Sequence, residues 1–287
     1  MGKSAWDFKA IWGDIGSLEN AEMTVVVAEQ VAVRERDGKR HLVSVGKARE
    51  KRAKPLRIGL ESERTDFNLA MSLINLVQDD ENLPLDFLAL MQSISEDAAA
   101  AWVEKNGFPE VDLFDFDCED AFCWLSLERF CRETSMLYFL LGLWVAMLDE
   151  DERRISRYLR FFSEWIFAGK KNFHSIEEKD LYPIVQHIMG KRLSGISPRF
   201  RFEEGNPVIY LEANSLFAVA FFQLAQLMTK LDDDSKRKHL KKCPVEEGGC
   251  GNLFWGHGNR KFCPNCPRST TLYRRKKRKA GALTGKG

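Results

Sequence analysis

The sequence predicts a mainly α-helical body with a small N-terminal β-hairpin, followed by a small C-terminal cysteine finger. Three observations predict it. From Thr65 onward, apolar residues recur at helical period in one segment after another. Ahead of them, a β-branched run is followed by the turn pair Asp37-Gly38 and a second apolar run. Behind them, four cysteines fall within 24 residues, in a stretch dominated by lysine and arginine. The expected organisation is a hairpin region at 1–60, a helical body at 61–235, the finger with its basic tail at 236–279, and a flexible tail at 280–287.

Residues 24–33 (TVVVAEQVAV) are rich in β-branched side chains. With Asp37-Gly38 as the turn and 41–45 as the second strand, they predict a hairpin with an Arg/Lys-rich tip. The stretch 47–54 (KAREKRAK) reads as a solvated basic connector ending at Pro55. Segments 66–77 and 85–106 follow the helical period, and Gly107-Phe108-Pro109 stops the second. Segment 119–148 predicts one long apolar helix, or two broken near Thr134-Ser135. Helices follow at 152–167, behind the acidic turn Asp149-Glu150-Asp151, and at 177–189. Residues 194–207 read as a loop with a strand at 199–202. Segment 214–231 (NSLFAVAFFQLAQLMTKL) is a strongly apolar helix opened by an Asn/Ser cap. There is no repeat of 20–50 residues.

Hydrophobic residues make up 44% of the 287 positions and charged residues 30%, a soluble globular composition that argues against disorder. The apolar stretch 137–148 has 12 residues, short of the roughly 20 that cross a bilayer. The N-terminal MGKSAWD has no apolar signal core, and seven cysteines, an odd number, do not form a disulfide framework. These features predict a reducing, cytoplasmic location and no membrane partner.

Charge is unevenly placed. Residues 236–279 hold 14 Lys/Arg against two Glu, whereas residues 1–235 hold 28 basic and 40 acidic side chains. A formal net charge of +1 therefore conceals an acidic body and a strongly basic tail. Such a tail seeks a polyanion, or else folds back onto the acidic body.

Nothing in the body follows a P-loop, a Rossmann glycine fingerprint, a nucleophile elbow or a kinase pattern, so no enzyme is expected. The carboxylates Asp112, Asp115, Asp117, Glu119 and Asp120 read as helix-capping acids rather than a site. His174 and His187 read as ordinary surface or core histidines. Cys118, Cys123 and Cys131 sit in an apolar run and read as buried packing.

The remaining cysteines carry the chemical signal. Cys243-x6-Cys250-x12-Cys263-x2-Cys266 supplies four thiolates, which satisfy a tetrahedral zinc ion without leaving a position for water. Glycines at 248, 249 and 251 permit the tight turn that returns a second thiolate to the metal. The spacing thus predicts a structural Zn2+ site in a zinc-ribbon or treble-type finger, with metal binding as its main folding energy. Redox chemistry at Cys263-Pro264-Asn265-Cys266 is the rival, but it lacks the βαβ unit such a motif requires. His257 reads as a loop residue, and Phe254 and Phe262 as a mini-core.

After the last cysteine comes Arg268, and then the six consecutive basic residues Arg274, Arg275, Lys276, Lys277, Arg278 and Lys279. A basic run behind a folded knob suits phosphate neutralisation, with a nuclear localisation signal as the competing reading. Arg260, Asn259 and Arg268 are the candidates for base contact, and Lys261 and the basic run for the backbone.

The stretch Lys241-Lys242-Cys243, Cys250-Gly251, Phe254, Arg260, Phe262-Cys263, Cys266 and Tyr273-Arg274-Arg275 resembles the CGNR-type zinc-finger proteins. These are bacterial transcription regulators with a helical N-terminal ABATE domain. The name-giving tetrapeptide reads Cys266-Pro267-Arg268-Ser269 here, and the resemblance in motifs covers 236–279. It implies that Cys243, Cys250, Cys263 and Cys266 bind zinc and that the trailing arginines face DNA. The expected function is therefore nucleic-acid binding, with duplex DNA favoured over RNA, by a DNA-binding transcriptional regulator that is a homodimer. The alternative is an RNA-binding or protein-interaction subunit of a larger ribonucleoprotein assembly.

Overall fold

The computed structural model describes residues 21–46, 49–56, 68–79, 86–110, 123–167, 178–203, 206–237, 239–256, 259–263 and 266. The chain forms two compact units, Met1–Thr229 and Lys230–Gly287.

In the first unit helices predominate, with more strand than the sequence suggests. The run 24–33 is two strands, because the chain changes sheet at Ala28-Glu29. Strand β1 (Ala21–Val27) belongs to one sheet and β2 (Gln30–Arg36) to another. The predicted hairpin is formed by β2 and β3 (Lys39–Val45), paired from Gln30↔Val45 to Arg36↔Lys39. Its turn places Asp37 at φ 53° and Gly38 at φ 71°, the two left-handed residues that a tight hairpin needs. The basic connector is also a strand, β4 (Arg49–Leu56), antiparallel to β1. Its position at a sheet edge tolerates lysines and Pro55, because one row of its backbone groups needs no ladder partner.

Segment 66–77 contains helix α1 (Asn68–Ile74). Segment 85–106 is two helices, α2 (Phe87–Gln92) and α3 (Glu96–Asn106). The break falls where Ser95 turns extended and its hydroxyl accepts from the Ala98 N–H, starting a new helix in place of continuing the old one. Gly107, at φ 93°, ends α3, and the next N–H, from Phe108, donates to Val26 O at 2.8 Å. That bond ties the helical layer to β1.

The long apolar segment begins with a strand, β5 (Trp124–Ser126), which adds to β3 in the order β2-β3-β5. Ser126 then caps a single helix, α4 (Leu127–Leu148). Thr134 and Ser135 do not break it; both are buried within it. By length and composition α4 would cross a membrane, yet 67% of its most apolar window is buried inside the protein, as expected of a core helix.

Helix α5 (Glu152–Phe167) coincides with its predicted span, and α6 (Glu178–Leu193) extends four residues beyond Met189. The stretch read as a loop is a hairpin of β6 (Ile196–Glu203) and β7 (Asn206–Ala213). Strand β7 lies parallel to β1, pairing Ala21 with Leu211 and completing the order β4-β1-β7-β6. Helix α7 (Leu216–Leu231) starts at Ser215, whose hydroxyl accepts from Ala218 N at 3.0 Å.

The core is built on α4 and α7. Trp102, Phe130 and Phe217 form a chain of tilted rings 5.7 and 6.0 Å apart. Phe139, Phe221 and Phe222 are fully buried, each contributing about 1.5–3 kcal/mol through burial. Polar groups inside are matched to partners across the fold. Trp144 Nε1 donates to Met228 O at 3.0 Å, and Ala70 N donates to Gln223 Oε1 at 3.0 Å. Asp79 takes both arms of the Arg157 guanidinium, at 2.9 and 2.8 Å, and the Tyr138 hydroxyl at 3.0 Å.

Candidate metal centre

The second unit starts with the end of α7 and a short helix, α8 (Asp234–Arg237), and then forms a small antiparallel hairpin. Strands β8 (Leu240–Lys242) and β9 (Leu253–Trp255) pair Leu240 with Trp255, Lys241 with Phe254 and Lys242 with Leu253. Strand alternation sets Phe254 apart from its neighbours, and it is the one of the three on β9 that is buried. Phe254 packs with Cys243, Cys263 and Cys266, and Phe262 leans against the same cluster.

Cys243 leaves β8 into a tight loop. A 3-10 turn, Val245–Glu247, is closed by Gly248 at φ 79°, whose N–H donates to Val245 O. Gly249 N donates to Pro244 O at 2.7 Å, and Gly251, at φ 78°, donates to Cys243 O at 3.1 Å. The loop therefore folds back onto its own first cysteine. A Cβ at Gly249 would lie 2.6 Å from Cys243 Sγ, so no larger residue fits without moving the loop. The second pair, Cys263 and Cys266, is held by a bond from Cys266 N to Cys263 O at 3.2 Å.

These loops bring all four sulfurs together. The Sγ atoms of Cys243, Cys250 and Cys266 lie within 4.8 Å of one another, and Cys263 Sγ is 3.4 Å from Cys250 Sγ. A tetrahedron with metal–sulfur bonds of about 2.3 Å has edges of about 3.8 Å, a separation in range for the Cys243, Cys250 and Cys266 sulfurs, with Cys263 beside Cys250. Cys243, Cys263 and Cys266 are buried, whereas Cys250 is exposed. Burial pushes the Cys243 thiol up, but backbone N–H groups of Cys263 and Cys250 and the neighbouring thiols outweigh it. Its pKa ends below the ordinary thiol value, favouring the thiolate a metal needs. Cysteine sulfurs in this arrangement could hold a metal ion.

His239 takes a different role. Its N–H and C=O flank the hairpin end, with Gly256 N donating to His239 O at 2.7 Å. Its Nδ1 lies 3.0 Å from Gly256 O and its ring stands 5.5 Å from Trp255. His257 lies outside the described residues.

Of the residues expected to meet a polyanion, Asn259, Arg260 and Lys261 are described and exposed. Lys261 forms an ion pair with Glu247, and Lys241 Nζ donates to Arg260 O at 3.1 Å. Arg268, Arg274, Arg275, Lys276, Lys277, Arg278 and Lys279 lie outside the described residues, as do residues 280–287.

In the first unit, Asp112, Asp115, Asp117, Glu119, Asp120, His174 and Cys118 lie outside the described residues, and His187 is exposed on α6. Cys123 and Cys131 are buried, and burial pushes both thiols up to about 11. One group the sequence did not single out is Glu133, buried in α4. Arg192 Nε approaches its Oε2 to 2.8 Å, yet neither atom gains an aligned hydrogen bond, so the contact is coulombic. A glutamate on the buried side of the apolar-periodic segment 127–148 was the available signal.

No protein-family model, curated protein or solved structure matches the chain.

Proposed function

We propose that this is a nucleic-acid-binding protein whose C-terminal unit folds around one structural Zn2+. More narrowly, we read it as a DNA-binding transcriptional regulator of the CGNR type. Cys243, Cys250, Cys263 and Cys266 would hold the ion. Four thiolates leave no open coordination position, which suits a structural role rather than hydrolysis. Lys261 and the basic run from Arg274 to Lys279 would neutralise phosphate, Asn259, Arg260 and Arg268 would reach the bases, and the acidic helical body would dimerise or sense a ligand.

The observation that carries this reading is the coincidence of two features in one small unit. It brings four cysteine sulfurs close together, and its stretch 236–279 carries 14 Lys/Arg against two Glu. A metal-stiffened knob ending in cations fixes the approach of those cations to a polyanion.

The test is binding of the zinc-loaded chain to duplex DNA, single-stranded DNA and structured RNA across a salt titration. The comparison is a full-length variant with Arg274 to Lys279 replaced by glutamine. With about five phosphate contacts, log affinity should fall against log salt with a slope near −4 to −5, shallower in the variant. A preference for RNA favours the assembly subunit. No binding to any of the three overturns the proposal.

A further inference from the structure

We propose that Cys250 is a modification site, the point at which peroxides attack the metal centre, and that the product is a Cys250–Cys263 disulfide which discharges the metal. The inference rests on the four-cysteine reading above. It starts from an asymmetry. Three of the four sulfurs are sealed in the unit's small core, with Cys243 at 0%, Cys266 at 2% and Cys263 at 4% exposure. Cys250 alone is exposed. A small oxidant in solution therefore meets one thiolate first, and access selects the site of attack.

Geometry then selects the partner. Cys263 Sγ stands 3.4 Å from Cys250 Sγ and has to close to about 2 Å to form a disulfide. Cys243 is the less suitable partner, because its sulfur is already held by backbone N–H groups of Cys263 and Cys250, the latter at 3.4 Å. Peroxide is the reactant class, and the step balances. The Cys250 thiolate attacks one peroxide oxygen, the O–O bond breaks, and the sulfenic acid and hydroxide form. The Cys263 thiolate then attacks the Cys250 sulfur and displaces a second hydroxide. Two protons from solvent complete two waters; the two thiolates have supplied the two electrons. The metal keeps its oxidation state. Left with Cys243 and Cys266 alone, it loses two of four donors and leaves as the hydrated dication.

The experiment uses the full chain, loaded with zinc and treated with hydrogen peroxide. Zinc release is read with a chromogenic chelator, and the disulfide is mapped by mass spectrometry after thiol blocking. The expected result is one zinc released per Cys250–Cys263 bridge, reversed by dithiothreitol and added zinc. Cys250→His keeps a zinc-binding donor but removes the oxidisable sulfur, and should slow release by about tenfold or more. A zinc-bound chain that bridges Cys243 to Cys266, or releases zinc equally fast as Cys250→His, overturns the inference alone. A chain that takes up no zinc before treatment overturns the metal centre, and the inference with it.

Discussion

Replacing Gly249 by alanine should weaken metal binding without touching a sulfur. An ideal Cβ at this position lies 2.6 Å from Cys243 Sγ, 2.6 Å from Pro244 O and 3.0 Å from Pro244 C. Ordinary carbon contacts begin near 3.4 Å, so the new methyl is too close by several tenths of an ångström to all three. Two of the three obstructing atoms are backbone, held by the bond from Gly249 N to Pro244 O. No rotamer change relieves them; the loop must open and carry Cys243 away from the centre. Overpacking of this kind costs about 1–3 kcal/mol, which corresponds to roughly 5–150-fold weaker zinc binding. The assay is competition against a chromophoric chelator of known affinity. Gly256→Ala is the internal comparison, because its Cβ would meet the ring edge of Phe254 at 2.6 Å, a side-chain atom, with no backbone atom as close. The expected order is wild type, then Gly256→Ala, then Gly249→Ala weakest. A Gly249→Ala variant that binds zinc like the wild type refutes the placement of Cys243 against this loop.

Three further outcomes are expected in the helical unit. Asp79→Ala removes the carboxylate that takes both arms of the Arg157 guanidinium, 15% exposed, and should cost about 3–5 kcal/mol in urea unfolding; a loss under 1 kcal/mol would show that the pair is solvated. Glu133→Gln should alter the pH dependence of stability. Burial, against the pull of Arg192, raises the Glu133 pKa, so its contribution is present below the ordinary value of 4.5 and is lost as pH rises through the raised one. The melting-temperature gap in favour of the uncharged glutamine should therefore widen with pH, and a gap that narrows contradicts the assignment. Cys123 and Cys131, with thiols pushed up to about 11, should resist a water-soluble thiol reagent at pH 8 until the chain unfolds. Labelling of either in the native state would show that the α4 region opens.

Elements whose signal is local were legible in the sequence. Glu152–Phe167 is a helix over its predicted span because ERRISRYLRFFSEWIF repeats its apolar positions at helical period. Asp37-Gly38 turns as expected because few other pairs accept two left-handed residues in succession. The convergence of Cys243, Cys250, Cys263 and Cys266 was likewise readable, since a closed tetrahedron demands short spacings and glycine-rich turns. Elements whose reason lies far away in the chain were not. The parallel pairing of β7 with β1 joins residues some 190 positions apart, and β4 is a strand because β1 offers it an edge. The lysine-rich run has little strand propensity of its own, and the β-prone Val208-Ile209-Tyr210 does not say which strands it will meet.

The sequence by itself determined the periodic helices, the tight hairpin turn, the opposed charges of body and tail, and the four-cysteine cluster. Each of these depends on the order of neighbouring residues, and backbone sterics and ligand spacing act at that range. Only the tertiary structure decided that residues 24–33 divide between two sheets and that Asp79 meets Arg157 across 78 positions. It also decided that Cys250 faces solvent while Cys243, Cys263 and Cys266 do not. Burial and long-range pairing are properties of what packs against a residue, and a linear pattern does not carry them.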